Sequence, residues 1–226
     1  MIPLLLVVVI DLIGFGIIIP LLPFYAETFG ASPQKVTMLM VIFSLSQFVA
    51  APIWGGLSDK YGRRLIIWIT LAGSILAYIF LAYSNTLYSL FIARAFAGFM
   101  AGNISTAQAY MSDITTKENR AKAMGFFGAA FGIGFILGPA IGGILAGSDP
   151  KSPNTFLPPI FAASLSTFAL LLALFLLKDT RSLIKPNKNK RIVSLLEALK
   201  LPKLGQLILL SFIVTVVFAS MESTFS

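Results

Sequence analysis

Two charged side chains lie inside apolar stretches that are long enough to cross a membrane. Asp11 lies between "MIPLLLVVVI" and "LIGFGIIIP", and Arg94 lies within "LYSLFIARAFAGF". A charged group at the centre of a membrane helix costs on the order of 2.5 to 3.5 kcal/mol, so both side chains need compensation. The residues leave three roles open for Asp11: a proton carrier, a ligand for a cationic substrate in a water-filled cavity, or a hydrogen-bonded cap near the helix start.

Few other polar side chains interrupt the apolar stretches, and these are candidates for a binding cavity. They are Gln47, Asn103 and Gln108, which we group with Asp11 and with Phe15 as an aromatic wall. A buried amide side chain more often bonds a neighbouring helix than a substrate, and that interpretation stays open for each of them.

The elements that carry these residues are predicted membrane helices. The sequence is 57% hydrophobic and 12% charged, whereas soluble proteins have about a quarter of their residues charged. A helix needs about 20 apolar residues to cross a hydrocarbon core of roughly 30 Å. The apolar stretches predict seven such helices, over residues 2–25, 36–57, 65–83, 87–111, 120–146, 158–177 and 204–226. They are apolar on all sides and too long for the alternating strands of a membrane barrel, so we expect an all-α membrane protein.

The residue types that are missing exclude most enzyme chemistry. The chain has neither Cys nor His, which removes the common zinc sites and the Ser-His and Cys-His nucleophile pairs. We therefore expect no enzyme activity, no metal and no cofactor. The net charge of +8 comes from basic residues placed in the loops, and this placement argues against nucleic acid as a partner.

The positions of the basic residues predict the orientation of the helices in the bilayer. Lys and Arg accumulate in cytoplasmic loops. Most of the 17 basic residues follow the second, fourth and sixth predicted helices, whereas the opposite loops hold only Lys35 and Lys151. The sequence thus predicts a multi-pass protein with a cytoplasmic N-terminus and, after seven crossings, an external end.

With this orientation, a direct pair between Asp11 and Arg94 is not expected. Counted from the cytoplasmic side, Asp11 lies about nine residues deep and Arg94 about seventeen, a difference of roughly 12 Å. Pro20 lacks an N–H and leaves the Gly16 carbonyl without its helical donor, at a depth that a guanidinium can reach. We therefore expect Arg94 to bond the first helix near Gly16.

Residues 178–203 are predicted to be a basic cytoplasmic linker between residues 1–177, the six-helix bundle, and the predicted seventh helix. The linker ends in a periodic stretch whose apolar residues share one helical face: Ile192, Leu195, Leu196 and Leu199. This pattern is typical of an interfacial helix. A solvated linker that is basic only because it lies on the inside explains the composition equally well.

The stretch "GGLSDKYGRR", residues 55–64, places four charges between two predicted helices. Gly55, Gly56 and Gly62 permit a tight reversal, and Asp59 and Arg63 are four apart and can pair. This pattern resembles the signature of the major facilitator superfamily between its second and third helices, with a Lys where Arg is often found.

Three further stretches resemble patterns of the same superfamily. The first helix has "DLIGFGIIIPLLP", with glycines followed by Pro-x-x-Pro, and the fourth has Leu90-x-x-x-Arg94-x-x-Ala97-Gly98-x-x-x-Gly102, with Ala97 where Gln is often seen. The fifth has Gly134-x-x-x-Gly138-Pro139-x-x-Gly142-Gly143, which resembles the signature associated with proton-coupled antiporters. The four patterns occur in the family's order and cover nearly the whole chain.

The resemblance implies a six-helix N-terminal bundle with a 3+3 inverted repeat, plus a seventh helix that begins a second bundle. It implies that Arg94 tunes the first helix and proton movement, with a purely structural staple as the alternative. Together with the proton-carrier role that burial suggests for Asp11, this makes Asp11 and Arg94 the expected proton-coupling residues. The resemblance places a cytoplasmic gate at seven residues: Gly55, Asp59, Gly62, Arg63, Arg64, Asp113 and Arg120. It places a hinge, or plain tight packing, at the glycines and proline of the fifth predicted helix: Gly134, Gly138, Pro139, Gly142 and Gly143.

The sequence around Gln47 is similar to the tetracycline and drug/proton antiporters of that superfamily. The expected function is proton-coupled efflux of a small organic substrate by alternating access, in the inner membrane of a bacterium. The expected partners are the substrate, protons, the lipid bilayer and a missing C-terminal half of six helices, without which we expect no transport. The alternatives are a non-transporting half-bundle and a uniporter or symporter of another small solute.

Overall fold

The computed structural model describes residues 1–147, 149 and 153–178, with five isolated positions between 205 and 213. Its described part holds six helical segments that are long and apolar enough to cross a membrane. They run over Ile2–Thr28, Pro33–Tyr61, Arg63–Ala82, Leu87–Asp113, Arg120–Ala146 and Leu157–Leu176. Six of the seven predicted helices are thereby confirmed, with ends within a few residues of the predicted ones.

The chain divides into two compact units, Met1–Ile184 and Lys185–Ser226. All six segments belong to the first unit. The predicted linker, 178–203, and the predicted seventh helix, 204–226, lie outside the described residues apart from Lys178 and the five isolated positions.

Proline breaks the first membrane segment. It consists of α1 (Ile2–Ile18), a single 3₁₀ turn (Ile19–Leu21) and α2 (Leu22–Thr28). Pro20 has no N–H for the i−4 carbonyl, and its ring crowds the preceding turn, which explains why the regular helix ends there. The long helices α3 (Pro33–Tyr61) and α4 (Arg63–Ala82) follow.

The fourth membrane segment is also broken, where the sequence predicts one continuous helix over 87–111. It consists of α5 (Leu87–Ala101) and α6 (Ile104–Asp113), which are separated at Gly102 and Asn103. The break leaves carbonyl groups without their helical donors, and α3 supplies replacements. Trp54 Nε1 donates to the Phe99 carbonyl at 2.7 Å, and Gln47 Nε2 donates to the Ala101 carbonyl at 3.2 Å. Side chains of a neighbouring helix thus stabilise the break, which is why local sequence does not reveal it.

The next helix, α7 (Arg120–Ala146), begins where the sequence predicts. The preceding stretch Thr115-Thr116-Lys117-Glu118 matches the sequence pattern of a capping box, which predicts a cap at the helix start, but the structure does not form it. The N-cap residue of α7 is Asn119, which makes no capping side-chain hydrogen bond. The Thr115 hydroxyl instead donates to the Met111 carbonyl at the end of α6. Glu118 is bonded to its own backbone N–H and to Thr116, and these bonds lower the pKa of its exposed carboxyl below the usual value.

The helices pack around two apolar clusters. Helix α1 contacts both α7 and α8 (Leu157–Leu176), while α4 contacts α8 and α5, and α3 packs on α5. One cluster includes the first half of α1, from Leu4 to Leu12, and the other begins at Ile17 and continues into α2. The two clusters therefore meet along α1 between Leu12 and Ile17. This segment follows directly after Asp11 and contains Phe15.

Candidate functional site

A cavity of about 160 Å³ lies where the two apolar clusters meet. Its polar lining comes from four of the six membrane segments and consists of Asp11, Gln47, Ser74, Tyr78, Arg94 and Asn103. Its aromatic lining consists of Phe15, Phe43 and Phe131. Five of the predicted site residues, which are far apart in sequence, thus share one cavity: Asp11, Phe15, Gln47, Arg94 and Asn103.

Asp11 lines this cavity next to the break in the fourth segment. The side-chain amide of Asn103, at the break itself, is hydrogen-bonded to the Asp11 carboxyl. Both residues also line a second cavity of about 20 Å³, whose other walls are apolar and include Leu4, Val8 and Phe127. Asp11 and Asn103 therefore separate the polar cavity from a narrow apolar slot along the first half of α1.

Arg94 is buried, with 4% of its surface exposed. Its guanidinium carbon lies 4.2 Å from the centroid of the Phe43 ring, and the Phe43 ring stacks on Phe15 at 5.2 Å. A guanidinium over an aromatic face gains on the order of 2 kcal/mol when both groups are desolvated. The aromatic residues of α1 and α3 thus position Arg94.

The expected bond between Arg94 and the Gly16 carbonyl is absent from the described part of the chain, where the Arg94 Nε has no partner. Gly16 instead packs against α7, since a Cβ at Gly16 would lie 2.6 Å from the Gly134 carbonyl oxygen. A salt bridge between Asp11 and Arg94 was not expected, and none joins them among the described residues.

The two predicted glutamines have different environments. Gln47 lines the cavity while its amide bonds the Ala101 carbonyl, so it joins two helices and faces the cavity at once. Gln108 is exposed on α6 and does not line this cavity.

Tyr78 is a cavity residue that sequence reasoning missed. It interacts electrostatically with both Asp11 and Arg94. Thr70, Ser74 and Tyr78 follow one another at intervals of four on α4 and are all buried. Residues at that spacing share a helix face, so this polar stripe on an apolar helix was the available signal.

Away from the cavity, Arg63 links the end of α3, the start of α4 and the end of α6. We call the four residues that meet there the Arg63 cluster: Ser58, Asp59, Arg63 and Asp113. Arg63 pairs with Asp59, donates to Ser58 Oγ, and places its Nε 3.2 Å from Asp113 Oδ2. The predicted pair between Asp59 and Arg63 is present. Arg63 and Asp113 are 11% and 23% exposed, whereas Asp59 is 63% exposed, so Asp113 is the better shielded partner.

The other predicted gate residues, Gly55, Gly62, Arg64 and Arg120, form no ion pair with this cluster in the described part of the chain. Gly62 alone makes the reversal, with φ +100°, because α3 continues through Gly55 and Gly56 to Tyr61. Arg64 lies over the Trp68 ring and donates to the Leu174 carbonyl of α8 at 2.7 Å. Arg120 donates to the Ser112 carbonyl at 3.1 Å, which ties the start of α7 to the end of α6.

The glycine face of α7 packs against α1 within the bundle. A Cβ at Gly134 would lie 2.7 Å from Leu12 Cβ, and one at Gly138 would lie 2.5 Å from the Gly16 backbone. Gly142 approaches the Ile17 carbonyl in the same way, whereas Gly143 has nothing within 4 Å of a Cβ position. Helix α7 is assigned without interruption through Pro139. In the described part of the chain, Gly134, Gly138 and Gly142 therefore pack closely against α1.

Comparison with known proteins identifies the family that this arrangement belongs to. Tetracycline resistance protein, class H, from Pasteurella multocida is 37% identical over 180 residues, which are 78% of this chain and 44% of that protein. Multidrug resistance protein 2 from Bacillus subtilis is 31% identical over 172 residues, 76% of this chain and 42% of that protein. The chain thus spans less than half the length of the curated relatives it matches.

The fold points to the same family. The crystal structure of the human organic anion transporter MFSD10 (TETRAN) is similar with a TM-score of 0.67 and 25% identity, over 82% of this chain and 50% of that one. A model of the Major Facilitator Superfamily matches residues 4–226. With six membrane-length helices, a polar cavity between them and this match, the chain belongs to the Major Facilitator Superfamily, a family of transporters and not of enzymes.

Proposed function

We propose that this chain forms the N-terminal half of a proton-coupled exporter of small, drug-like organic molecules. The observation that carries the proposal is the position of Asp11 in a cavity enclosed by membrane helices, without a salt bridge among the described residues. A carboxylate at that depth is costly when ionised and becomes neutral when it binds a proton. Proton uptake and release at Asp11 would thus change the charge of the cavity by one unit.

The lining of the cavity supports an organic substrate. Phe15, Phe43 and Phe131 provide apolar walls, and Asp11 and Arg94 offer one charge of each sign. Ligand sites combine mainly apolar walls with a few polar groups that fix orientation, as here. The names of the relatives, which refer to tetracycline and multidrug resistance, favour drug-like substrates over other small solutes.

A complete transporter of this kind holds its substrate between two bundles near the membrane midplane. We propose a second six-helix half as the partner of this bundle and alternating access as the mechanism. The Arg63 cluster would then belong to the cytoplasmic gate. The basic loops support an N-terminus in the cytoplasm, and the bacterial relatives support a bacterial inner membrane.

The test is proton-driven transport of tetracycline and of cationic dyes in everted membrane vesicles. It would use the parent protein where the reading frame continues, with this chain alone measured in parallel. We expect Asp11→Asn to abolish proton-driven transport, because an amide cannot carry the proton. Glu27→Gln is the matched control, since Glu27 is an exposed acid on α2 outside the cavity. Transport that persists in Asp11→Asn would show that the proton is carried elsewhere.

A further inference from the structure

The Tyr78 hydroxyl lies against α1, one helical turn from Asp11. Gly14 follows Asp11 by three residues, so the two share a helix face. A Cβ at Gly14 would lie 3.6 Å from Tyr78 Oη, so the phenol end of Tyr78 reaches the helix that carries Asp11. Tyr78 is 8% exposed and its ring packs in the second apolar cluster. The ring is thus held by apolar neighbours while the hydroxyl faces the polar cavity.

The two charges that face Tyr78 come from different helices. Asp11 of α1 and Arg94 of α5 both interact with it electrostatically, and they form no salt bridge with each other in the described part of the chain. Helix α8 also packs on α4, but Leu157–Leu176 contains no charged residue. Within the described residues, no hydrogen bond holds the Tyr78 hydroxyl, which can therefore turn towards either charge.

A phenol hydroxyl donates one hydrogen bond and accepts others, so it can serve an acid and a guanidinium at the same time. We propose that Tyr78 is a positioning residue that transmits the protonation state of Asp11 to Arg94. The inference rests on the proposed role of Asp11 as the proton carrier. With Asp11 ionised, the Tyr78 hydroxyl donates to the carboxylate and its oxygen accepts an N–H of Arg94. With Asp11 protonated and neutral, the carboxyl donates to the Asn103 amide oxygen, and the Tyr78 hydroxyl bonds neither Asp11 nor Arg94.

A role in packing alone would need the ring of Tyr78 but not its hydroxyl. Tyr78→Phe keeps the ring and removes the hydroxyl, so it separates the two roles. Tyr83→Phe is the matched control, because Tyr83 ends the same helix, is 64% exposed and lies outside the cavity. Asp11→Asn removes the titrating carboxyl and keeps the Tyr78 hydroxyl, so it tests whether Tyr78 responds to Asp11.

The experiment is infrared difference spectroscopy of the 226-residue chain in lipid vesicles, between high and low pH, with ring-deuterated tyrosine to assign the tyrosine bands. We expect the wild-type difference spectrum to contain a protonated carboxyl band of Asp11 together with a tyrosine C–O band. The tyrosine band should disappear completely both in Tyr78→Phe and in Asp11→Asn, and should remain in Tyr83→Phe. Helix content by circular dichroism confirms that each variant is folded.

The outcomes distinguish this inference from the proposed function. A carboxyl band of Asp11 without a tyrosine band, or with one that survives in Tyr78→Phe or in Asp11→Asn, would overturn the link and leave proton binding at Asp11 intact. A wild-type spectrum without any Asp11 carboxyl band would contradict both, because the proposed proton carrier would not titrate. If Tyr78→Phe does not fold, loss or survival of the tyrosine band in Asp11→Asn still decides.

Discussion

At the scale of single residues, neighbours decide which charged groups are shielded. Arg94 lies over Phe43 and is almost completely buried, whereas Arg63 is shared among Ser58, Asp59 and Asp113. The Arg63 guanidinium meets its partners from two helices, α3 and α6, and the Arg94 guanidinium meets the Phe43 ring of α3. Arginine suits both positions because its planar fork can stack on a ring or bond several oxygens.

The Arg63 cluster gives a prediction about its two acids. Asp113→Asn should lower the free energy of unfolding by about 1 to 2 kcal/mol, since it removes a charged partner of a well-shielded arginine. Asp59→Asn should cost less than about 0.5 kcal/mol, because solvent screens an exposed ion pair. Unfolding by sodium dodecyl sulfate in mixed micelles, followed by circular dichroism, measures both. Equal losses would show that exposure does not decide the strength of these pairs.

At the scale of the elements, breaks and close contacts build the cavity. The break between α5 and α6 presents Asn103 to Asp11, and the 3₁₀ turn after α1 separates the cavity-lining half of that segment from α2. The small residues of α7 bring its backbone against α1. Small residues permit such close backbone approach within a membrane, where apolar burial alone gives little drive to association.

The crossing of α1 and α7 gives a prediction at this scale. Gly138→Ala should destabilise the bundle by about 1 to 3 kcal/mol, because its methyl group would meet the Gly16 backbone, which cannot rotate away. Gly132→Ala on the same helix has nothing within 4 Å of its new Cβ. Because alanine favours helix more than glycine does, it should be neutral or stabilising by up to about 1 kcal/mol. Thermal unfolding of both variants in detergent tests the pair, and an unaffected Gly138→Ala would contradict the close crossing.

At the scale of the whole molecule, the six membrane segments of the described part determine which loops share a side. An even number of crossings places Met1 and Lys178 on the same side of the membrane. The loop between α4 and α5 then lies opposite the loop between α6 and α7. The connection between α3 and α4 lies on the same side as the loop between α6 and α7. The basic residues around Arg63 and Arg120 predict that this side is cytoplasmic.

The absence of native cysteine makes this orientation directly testable. In intact cells, a membrane-impermeant maleimide should label Asn85→Cys, in the loop between α4 and α5, and should not label Thr116→Cys, in the loop between α6 and α7. Both positions are exposed. Both should react after the cells are permeabilised, which controls for accessibility. Labelling of Thr116→Cys alone in intact cells would reverse the predicted orientation.

The sequence by itself determined the class of the protein, the positions of the six described membrane helices and four of the six polar residues that line the cavity. Apolar length and loop charge are local properties, which is why six helix positions are confirmed within a few residues. Asp11, Gln47 and Asn103 were predictable because a polar side chain in an apolar helix is costly unless it has a partner. Arg63 and Asp59 were predictable as a pair from their spacing.

Only the tertiary structure decided which helix supplies each partner. The Gly16 carbonyl was a reasonable target for Arg94 by depth, but α7 packs on Gly16 and the Phe43 ring takes the guanidinium. The helix break at Asn103 depends on hydrogen bonds from α3, and the place of Tyr78 depends on how α4 packs against α1. Contacts between helices that are distant in sequence are set by how whole surfaces fit together, and no local pattern of residues contains that information.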